Sequence, residues 1–308
     1  MALVRSAGTR LRALMATECV ALPGAFNGFT ARLVKEHGFK GSYISGAALT
    51  ASAGVPDIGV LTLDHFTRVI REVTSVSELP LIADADTGFG EAEMVTRMVK
   101  EYHHAGAAGC HIEDQVFPKR CGHLDGKTLI STEDMVNKVE RAVQASSDVS
   151  GGEFIICART DAAGVTGLGF DHAIQRATAY VNAGADMIFP EGLHTKEDFE
   201  KFALAMRSLR GPAPSGGPFM LANMTEFGKT PYINVQEFGA MGYHCVIFPV
   251  STFRAAMGGV RDLLQSLQEH GCTDKYLEKM YTRKELYRSL GYTPGQEWSF
   301  PAVSESEK

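Results

Sequence analysis

Eight short apolar segments alternate with stretches of helical periodicity along this 308-residue chain. This alternation constrains the fold more than any other feature of the sequence. Each segment is almost continuously apolar at its start, as expected of parallel strands that are covered on both faces. The segments predict strands at 19–26, 41–49, 79–88, 109–115, 153–161, 187–192, 218–225 and 244–251. Eight β–α units in series favour an α/β fold of the (β/α)8 barrel type, the TIM type, over an open sheet.

The segments between the predicted strands indicate helices that end at glycine. The stretches 91–106 and 171–184 both finish with Ala-Gly, and glycine readily takes the left-handed conformation that follows a helix. Two more helical segments follow the last strand, near 252–270 and 274–289. Helices beyond the eighth unit of a barrel are available to pack against a neighbouring subunit.

We expect a single domain over residues 1–308, with the barrel at about 19–270 and a C-terminal helical extension at 271–308. No Gly-x-Gly-x-x-Gly pattern opens a helix after any of the strands, which disfavours a dinucleotide-binding fold.

Composition excludes several classes of partner. The formal charge of −6 and the pI near 5.9 argue against a nucleic-acid or anionic membrane surface. No apolar run approaches the roughly 18 residues needed to cross a bilayer.

Six scattered cysteines without a CxxC pair favour a reducing compartment, and we expect the cytoplasm. The first 14 residues carry three arginines and no acid, so a transit peptide to the mitochondrial matrix is the alternative; a basic first helix lying on the barrel is favoured.

Polar residues follow the apolar part of seven of the eight predicted strands. In such barrels the chemistry lies at the carboxyl ends of the strands. The residues at these ends can bind metal, carboxylate or hydroxyl groups, and they are Ser45, Asp84, Asp86, Glu113, Arg159, Glu191, Asn223 and Ser251. This concentration predicts an active-site rim.

Asp84 and Asp86, in the segment DADTGFG, are candidate metal ligands. Two residues apart on a strand, they would lean to the same side, where two like charges need a cation or a proton. Oxygen ligands suit Mg²⁺ or Mn²⁺, and Glu113 on the next strand could bind directly or through water. Alternatively, these acids cap the following helix or pair with Arg159.

Cys121 lies in the loop segment KRCGH, between cations at Lys119 and Arg120 and a histidine at position 123. Positive neighbours lower the pKa of a thiol, and a cysteine on a glycine-containing loop could exchange a proton with a substrate. The alternatives are a surface cysteine or a zinc ligand. Zinc is disfavoured because no second Cys or His pair lies at usable spacing.

Three arginines are candidates for holding substrate carboxylates, because the guanidinium fork matches a carboxylate with two parallel hydrogen bonds. Only Arg159 is supported by its place at a strand end; Arg254 and Arg283 follow the eighth strand. Asn223 and Thr225, at the end of the seventh strand, could bind another carboxylate.

The segments DADTGFG, HIEDQ, KRCGH, ARTDA, FPEG and ANMTEFGKTP together resemble the isocitrate lyase/phosphoenolpyruvate mutase superfamily, in register from about residue 10 to 292. The closest likeness is to the branch that cleaves 2-methylisocitrate. The segment KRCGH distinguishes this branch from isocitrate lyases, which usually read KKCGH. Isocitrate lyases also carry large insertions that 308 residues cannot accommodate. The mutase, phosphonopyruvate hydrolase and oxaloacetate hydrolase branches generally lack the cysteine.

The resemblance implies cleavage of (2S,3R)-2-methylisocitrate to pyruvate and succinate, in the methylcitrate cycle of propionate catabolism. It implies Mg²⁺ on Asp84 and Asp86, with Mn²⁺ possible and with Asp57 and Glu113 near the metal's waters. Cys121 would act as the general acid, while Tyr43 or a water on the metal near Glu113 would be the base. The implied substrate contacts are Ser45, Gly46, Ala47, Cys121, Gly122, His123, Arg159, Glu191, Asn223, Thr225, Arg254 and Arg283.

One position departs from the family pattern, because the usual Ser-Gly-Gly reads Ser45-Gly46-Ala47 here and the added methyl group narrows the pocket. The resemblance also implies a homotetramer whose C-terminal helices exchange between subunits. Rival substrates are isocitrate, 2,3-dimethylmalate and oxaloacetate. A non-catalytic barrel and a Schiff-base aldolase are rivals of other classes; the aldolase needs a lysine at a strand end, and none of the eight strands ends in one.

Overall fold

The computed structural model describes residues 5–122, 126–228 and 230–300, and His123 therefore lies outside the described residues. Eight parallel strands run in the order β1-β8-β7-β6-β5-β4-β3-β2. They are β1 Val20–Pro23, β2 Ser42–Ile44, β3 Leu81–Asp84, β4 Gly109–Glu113, β5 Ile155–Thr160, β6 Met187–Pro190, β7 Phe219–Asn223 and β8 Cys245–Phe248.

The sheet closes between its first and last members. The amide of Ala25, just beyond β1, donates to the carbonyl of Tyr43 on β2 at 2.8 Å. The predicted (β/α)8 barrel is thus confirmed, and each predicted strand contains an observed one.

The helices are α1 Ala7–Met15, α2 Gly28–Glu36, α3 Gly46–Ser52, α4 Leu63–Ser77, α5 Ala92–His104, α6 Thr132–Ser150, α7 Gly169–Asn182, α8 Lys196–Arg207, α9 Val235–Ala240, α10 Ser251–His270 and α11 Arg283–Leu290. The glycines expected after α5 and α7 have φ of +93° at Gly106 and +100° at Gly184. The region predicted as one helix at 274–289 is instead a 3-10 turn at Asp274–Lys279 followed by α11, because Met280 takes an extended conformation.

The basic first helix lies across the amino-terminal end of the barrel. Leu11 and Met15 pack into the barrel interior with side chains such as Leu22 and Ile155, and Leu11 is fully buried. The Arg12 guanidinium forms an ion pair with Asp186 at 3.0 Å. Burying one such aliphatic side chain contributes roughly 1.5–3 kcal/mol, so α1 is part of the barrel core.

Helix α10 differs from the other helices because, within the described chain, it buries none of its residues. Its exposed apolar side chains, Met257, Val260, Leu264 and Leu267, recur at spacings of three and four and therefore share one face. By contrast, α11 lies on α2, where the Ser289 hydroxyl donates to Glu36 at 2.8 Å. No helix of the described residues is long and apolar enough to cross a membrane.

Candidate active site

A cavity of about 270 Å³ opens at the carboxyl ends of the strands, where the sequence predicted the active site. Predicted site residues on its wall are Tyr43, Ser45, Ala47, Asp57, Asp84, Cys121, Gly122, Arg159, Asn223, Thr225 and Arg254. A second cavity of about 650 Å³ lies beside it, lined by Asp86, by the segments 59–64 and 115–117, and by the start of α5. The smaller cavity gathers the acids, the cysteine and the arginines, so it is the better candidate for catalysis.

The two predicted metal ligands face a common point. A methyl group built on Gly46 would lie 2.8 Å from Asp84 Oδ2 and 3.3 Å from Asp86 Oδ1. The sequence analysis attributed this common direction to the alternation of side chains along a strand. However, β3 already ends at Asp84, and Asp86 lies beyond it with a φ of +45°. The Gly46 amide donates to Asp84 Oδ2 at 2.9 Å, and the Asp86 amide donates to Asp84 Oδ1 at 3.0 Å. Backbone amides thus fix Asp84, and a left-handed residue turns Asp86 toward it.

These two carboxyl groups have opposite pKa shifts. Burial would raise the pKa of Asp84, but His111 when protonated, Lys119 and Arg159 hold it below its usual value. Burial raises the pKa of Asp86 to about 6, with Asp84 adding to the rise and Lys119 opposing it. A pair that shares one site in this way is stabilised by a cation.

Lys119, which the sequence analysis considered only as a positive neighbour of Cys121, lies among the acids of the cavity. It is buried, and its ammonium lies 2.8 Å from Asp86 Oδ1 and donates a hydrogen bond to Asp57. Asp57 and Lys119 are 62 residues apart in the chain, and nothing in their local sequences signals the contact.

Glu113 is fully buried at the end of β4, and neither of its carboxylate oxygens has a hydrogen-bond partner among the described residues. Its nearest cation is Arg159, with 3.3 Å between Nη1 and Oε2. Burial raises the pKa of Glu113 well above its usual value, although Arg159 and Lys119 oppose that rise. Buried carboxylates without donors are unusual, and they occur where an ion or water completes the site.

The donor set fits a magnesium ion. Asp84 and Asp86 offer two oxygens to one point, and Glu113 and Asp57 lie around them with acceptor capacity for water. The described residues hold no cluster of three or more His, Cys, Asp or Glu side chains with metal-ligand geometry. Mg²⁺ commonly binds through one or two carboxylates and keeps several waters, so two protein ligands suffice.

Tyr43 forms a pair with His111, a residue that the sequence analysis did not single out. The Tyr43 oxygen lies 2.6 Å from His111 Nε2 inside the barrel. Burial raises the pKa of the Tyr43 hydroxyl well above 10, and Asp84 adds to the rise. Burial lowers the pKa of His111 to about 4, so its ring is neutral near pH 7. The pair is therefore a neutral hydrogen-bonded unit on the cavity wall.

Arg159 is held from three sides. Asp161 accepts two hydrogen bonds from it, at 2.9 Å to Nε and 3.1 Å to Nη2. Glu191 lies 3.6 Å from Nη1, and the Phe189 ring lies 5.2 Å from the guanidinium carbon. Asn223 donates to Glu191 at 3.1 Å, which joins the ends of β5, β6 and β7. The guanidinium is preorganised for a carboxylate in the cavity.

Arg254 forms the opposite wall of the cavity. Its Nη1 lies 3.0 Å from Glu226 Oε2 and 3.3 Å from the Thr225 hydroxyl. The Phe227 ring, 88% exposed, lies 5.4 Å from the guanidinium. Two arginines thus lie on the wall of one cavity, where they could bind anionic groups.

Six described residues among those predicted do not line the cavity. Gly46, Asp86, Glu113 and Glu191 contact side chains that do, whereas Arg283 and Ser251 lie farther away. Arg283 is exposed at the start of α11, which packs on α2. The Ser251 hydroxyl donates to Glu226 and does not line the cavity. Cys121, by contrast, is half-buried on the wall, next to Gly122, Arg159 and the carboxylates.

Known proteins resemble this chain in sequence and in fold. The family model described as phosphoenolpyruvate phosphomutase matches residues 11–268. A protein of Corynebacterium glutamicum described as a probable 2-methylisocitrate lyase is 47% identical over 280 residues, covering 91% of this chain and 87% of that protein.

Two solved structures also superpose on most of the chain. A 2,3-dimethylmalate lyase matches with a TM-score of 0.85 and 34% identity, covering 94% of this chain and 92% of that one. A phosphonopyruvate hydrolase in complex with oxalate and Mg²⁺ matches with a TM-score of 0.80 and 29% identity, covering 93% and 95%. This chain belongs to the phosphoenolpyruvate mutase/isocitrate lyase family, and it is a carbon–carbon lyase.

Proposed function

We propose that this protein cleaves 2-methylisocitrate to pyruvate and succinate with the help of Mg²⁺, in the methylcitrate cycle of propionate catabolism. The observation that carries the proposal is the convergence of Cys121, Asp84 and two arginines on one cavity, with Asp86 directed to the same point as Asp84. Each part matches one need of the reaction: a proton donor, a cation site and anchors for carboxylates. The similarity to the Corynebacterium protein supports the same substrate.

Asp84 and Asp86 would hold the Mg²⁺ ion, with Mn²⁺ as an alternative, and Asp57 and Glu113 would bind its waters. The bound ion would stabilise negative charge on the substrate oxygen as a Lewis acid. Lys119 would have to leave Asp86 Oδ1, which it contacts at 2.8 Å. The hydrolase that binds oxalate and Mg²⁺ on the same fold supports magnesium.

The substrate would lie between the metal side and the two arginines. Arg159 would hold one carboxylate and Arg254 another, with further polar contacts from Ser45, Gly46, Ala47, Gly122, His123, Glu191, Asn223 and Thr225. Part of the wall is apolar and is formed by Phe189, Ile247, Pro249 and Val250. An apolar wall accommodates the additional methyl group of 2-methylisocitrate without leaving a polar group unpaired.

Tyr43, Glu113 and Cys121 are the proposed catalytic residues. The raised pKa keeps the Tyr43 hydroxyl protonated, so we propose that its oxygen accepts the substrate hydroxyl proton only as its own proton passes to Nε2 of the neutral His111 ring. The carbon–carbon bond then breaks, one electron pair forms the carbonyl of pyruvate, and the other stays on the carbon of succinate. The Cys121 thiol donates its proton to that carbon. Glu113 orients water beside the reacting oxygen.

The second candidate is a related substrate on the same machinery. The similarity to a 2,3-dimethylmalate lyase favours 2,3-dimethylmalate, which shares the hydroxyl and methyl groups but has fewer carboxylates. Isocitrate and oxaloacetate lack the methyl group. A single methyl group changes specificity by about 1–3 kcal/mol, so these substrates must be compared directly.

The exposed apolar face of α10 supports an oligomer. We propose a homotetramer in which the C-terminal helices exchange between subunits, so that α10 lies on a neighbouring barrel and Arg283 reaches a site only in the assembly. A cytoplasmic location, or the mitochondrial matrix in a eukaryote, suits the free cysteines. Light scattering of the purified protein tests the assembly, and a monodisperse monomer would contradict it.

Product formation by the purified protein tests the function, followed as pyruvate from 2-methylisocitrate and 2,3-dimethylmalate, as glyoxylate from isocitrate and as oxalate from oxaloacetate. 2-Methylisocitrate, isocitrate, 2,3-dimethylmalate and oxaloacetate are compared with Mg²⁺ and with EDTA, alongside C121S. We expect EDTA-sensitive release from 2-methylisocitrate that C121S abolishes. If another substrate reacts faster, the substrate assignment is wrong; if none reacts, the lyase proposal for this site fails.

A further inference from the structure

Lys127 is a buried lysine that the proposed mechanism does not use. Its side chain is 1% exposed, and its ammonium lies 2.8 Å from Asp161 Oδ1 and donates to the Gly122 carbonyl at 2.5 Å. A lysine that gives up its hydration in this way is held by strong, specific partners. Both partners adjoin the candidate active site.

The carboxylate of Asp161 joins Lys127 to Arg159. Its Oδ1 faces both Lys127 Nζ and Arg159 Nη2, and its Oδ2 accepts from Arg159 Nε. Burial would raise the pKa of Asp161, but Arg159 and Lys127 outweigh burial and keep the carboxylate ionised. The Asp161 amide in turn donates to Asp114 Oδ1 at 3.0 Å, so Asp161 is itself fixed.

Gly122 is packed tightly against the same arginine. A methyl group built on Gly122 would lie 2.4 Å from Arg159 Nη2 and 2.6 Å from Glu191 Cγ. The backbone at Gly122 therefore touches the guanidinium on one side, and its carbonyl is held by Lys127 on the other. Cys121 immediately precedes Gly122, so these contacts determine where its thiol lies relative to Arg159.

We propose that Lys127 is the positioning residue that sets the Cys121 thiol against the carboxylate held by Arg159. Through Gly122 on one side and Asp161 on the other, it fixes the distance between the proton donor and the anchored substrate. This inference rests on the proposed function for its effect on catalysis, but its effect on the reactivity of Cys121 does not depend on which substrate is cleaved.

The first variant is Lys127→Met, which removes the charge and keeps most of the volume. We expect kcat to fall about 100-fold while KM changes less than about threefold, because proton donation is displaced and carboxylate binding is retained. Lys127→Arg, which keeps the charge and the donor, should recover at least about tenfold of the lost kcat. Lys196→Met, at an exposed ion pair with Glu237, is the matched control and should leave both constants unchanged.

The second variant changes no charge. A methyl group on Gly164 would lie 3.1 Å from Lys127 Nζ and, among the described residues, meet no other side chain within 4 Å. Gly164→Ala should therefore fold even if Lys127→Met does not, and it displaces the ammonium by a few tenths of an ångström. We expect kcat to fall about three- to tenfold at constant KM. Ser208→Thr, which adds a methyl group at an exposed position outside α10, is its control.

Iodoacetamide alkylation of Cys121, followed by mass spectrometry of its peptide in a Cys272→Ser background, supplies a readout without substrate. We expect both Lys127→Met and Gly164→Ala to raise the alkylation rate of Cys121, by at least about fivefold in the first, with cooperative melting retained. Unchanged alkylation in both variants, or a loss of activity that appears as a rise in KM, would overturn the proposal. If wild type cleaves no substrate but alkylation responds, the proposed function fails and the positioning by Lys127 stands.

Discussion

The amino-terminal end of the barrel is closed by apolar side chains, whereas the carboxyl end concentrates buried charge. At the first end, Leu11 and Met15 of α1 pack against strand residues and leave little polar surface. At the second, Asp84, Asp86 and Glu113 lie buried within a few ångströms of Lys119 and Arg159. Apolar burial stabilises the fold directly, but buried charges must be desolvated first and stabilise it weakly.

The side chains that stabilise the barrel thus lie at one end of its axis, and the proposed catalytic side chains lie at the other. Side chains at the amino-terminal end should change the free energy of unfolding with little effect on turnover. Side chains at the carboxyl end should do the reverse, because their buried charges pair with one another at the cost of desolvation and contribute little net stability.

The largest effect is expected at the carboxyl end, in Asp84→Asn. Removing one of the two proposed metal ligands should lower kcat/KM by about 1,000-fold or more, which corresponds to roughly 4 kcal/mol. Calorimetric titration with Mg²⁺ should show a matching loss of affinity, while the melting temperature of the metal-free protein changes little. Asp64→Asn, whose side chain is 84% exposed, is the control. Magnesium affinity equal to wild type would remove Asp84 from the metal site.

The amino-terminal end should give the opposite result in Leu11→Ala. A fully buried leucine truncated to alanine costs about 2–5 kcal/mol of unfolding free energy. Urea unfolding measures this loss, and kcat per folded molecule should stay within about twofold. Leu204→Ala, at a side chain that is 67% exposed, should cost much less. A large drop in kcat would mean that the two ends are coupled.

Asp86 gives the carboxyl end a dependence of stability on pH. Its folded-state pKa of about 6 lies above the usual 3.8, so the folded protein binds more protons between these values and loses stability as pH rises through them. About two pKa units correspond to roughly 3 kcal/mol. In EDTA, the stability difference between wild type and Asp86→Asn should shift by that order between pH 4 and 6. If the stabilities of wild type and Asp86→Asn change in parallel with pH, the raised pKa of Asp86 is contradicted.

The smallest effect is expected at Arg12, a charged residue at the amino-terminal end. Its ion pair with Asp186 joins side chains that are 21% and 24% exposed, and solvent screening weakens such pairs. Arg12→Met should cost less than about 1 kcal/mol in urea unfolding and leave kcat unchanged. Arg68→Met, at a more exposed pair, should cost less still. A loss above 2 kcal/mol would show that charge also stabilises this end strongly.

Much of the fold could be predicted because it follows from local patterns. Continuous apolar runs predicted all eight strands, and the predicted ends were too long mainly where polar or glycine residues begin the following loop, as at 85–88 after β3. The extension at 274–289 was wrong as a single helix, since helical periodicity cannot show where an extended residue such as Met280 interrupts it.

The sequence by itself determined the barrel, the end at which polar groups gather and the family, because strand period and position along the chain are local properties. It also identified most residues of the cavity wall. Only the tertiary structure decided which polar side chains meet: Lys119 with Asp57 and Asp86, Tyr43 with His111, and Lys127 with Asp161. Such contacts join residues 33 to 68 positions apart in the chain, and loop conformation and burial, which no local pattern encodes, bring them together.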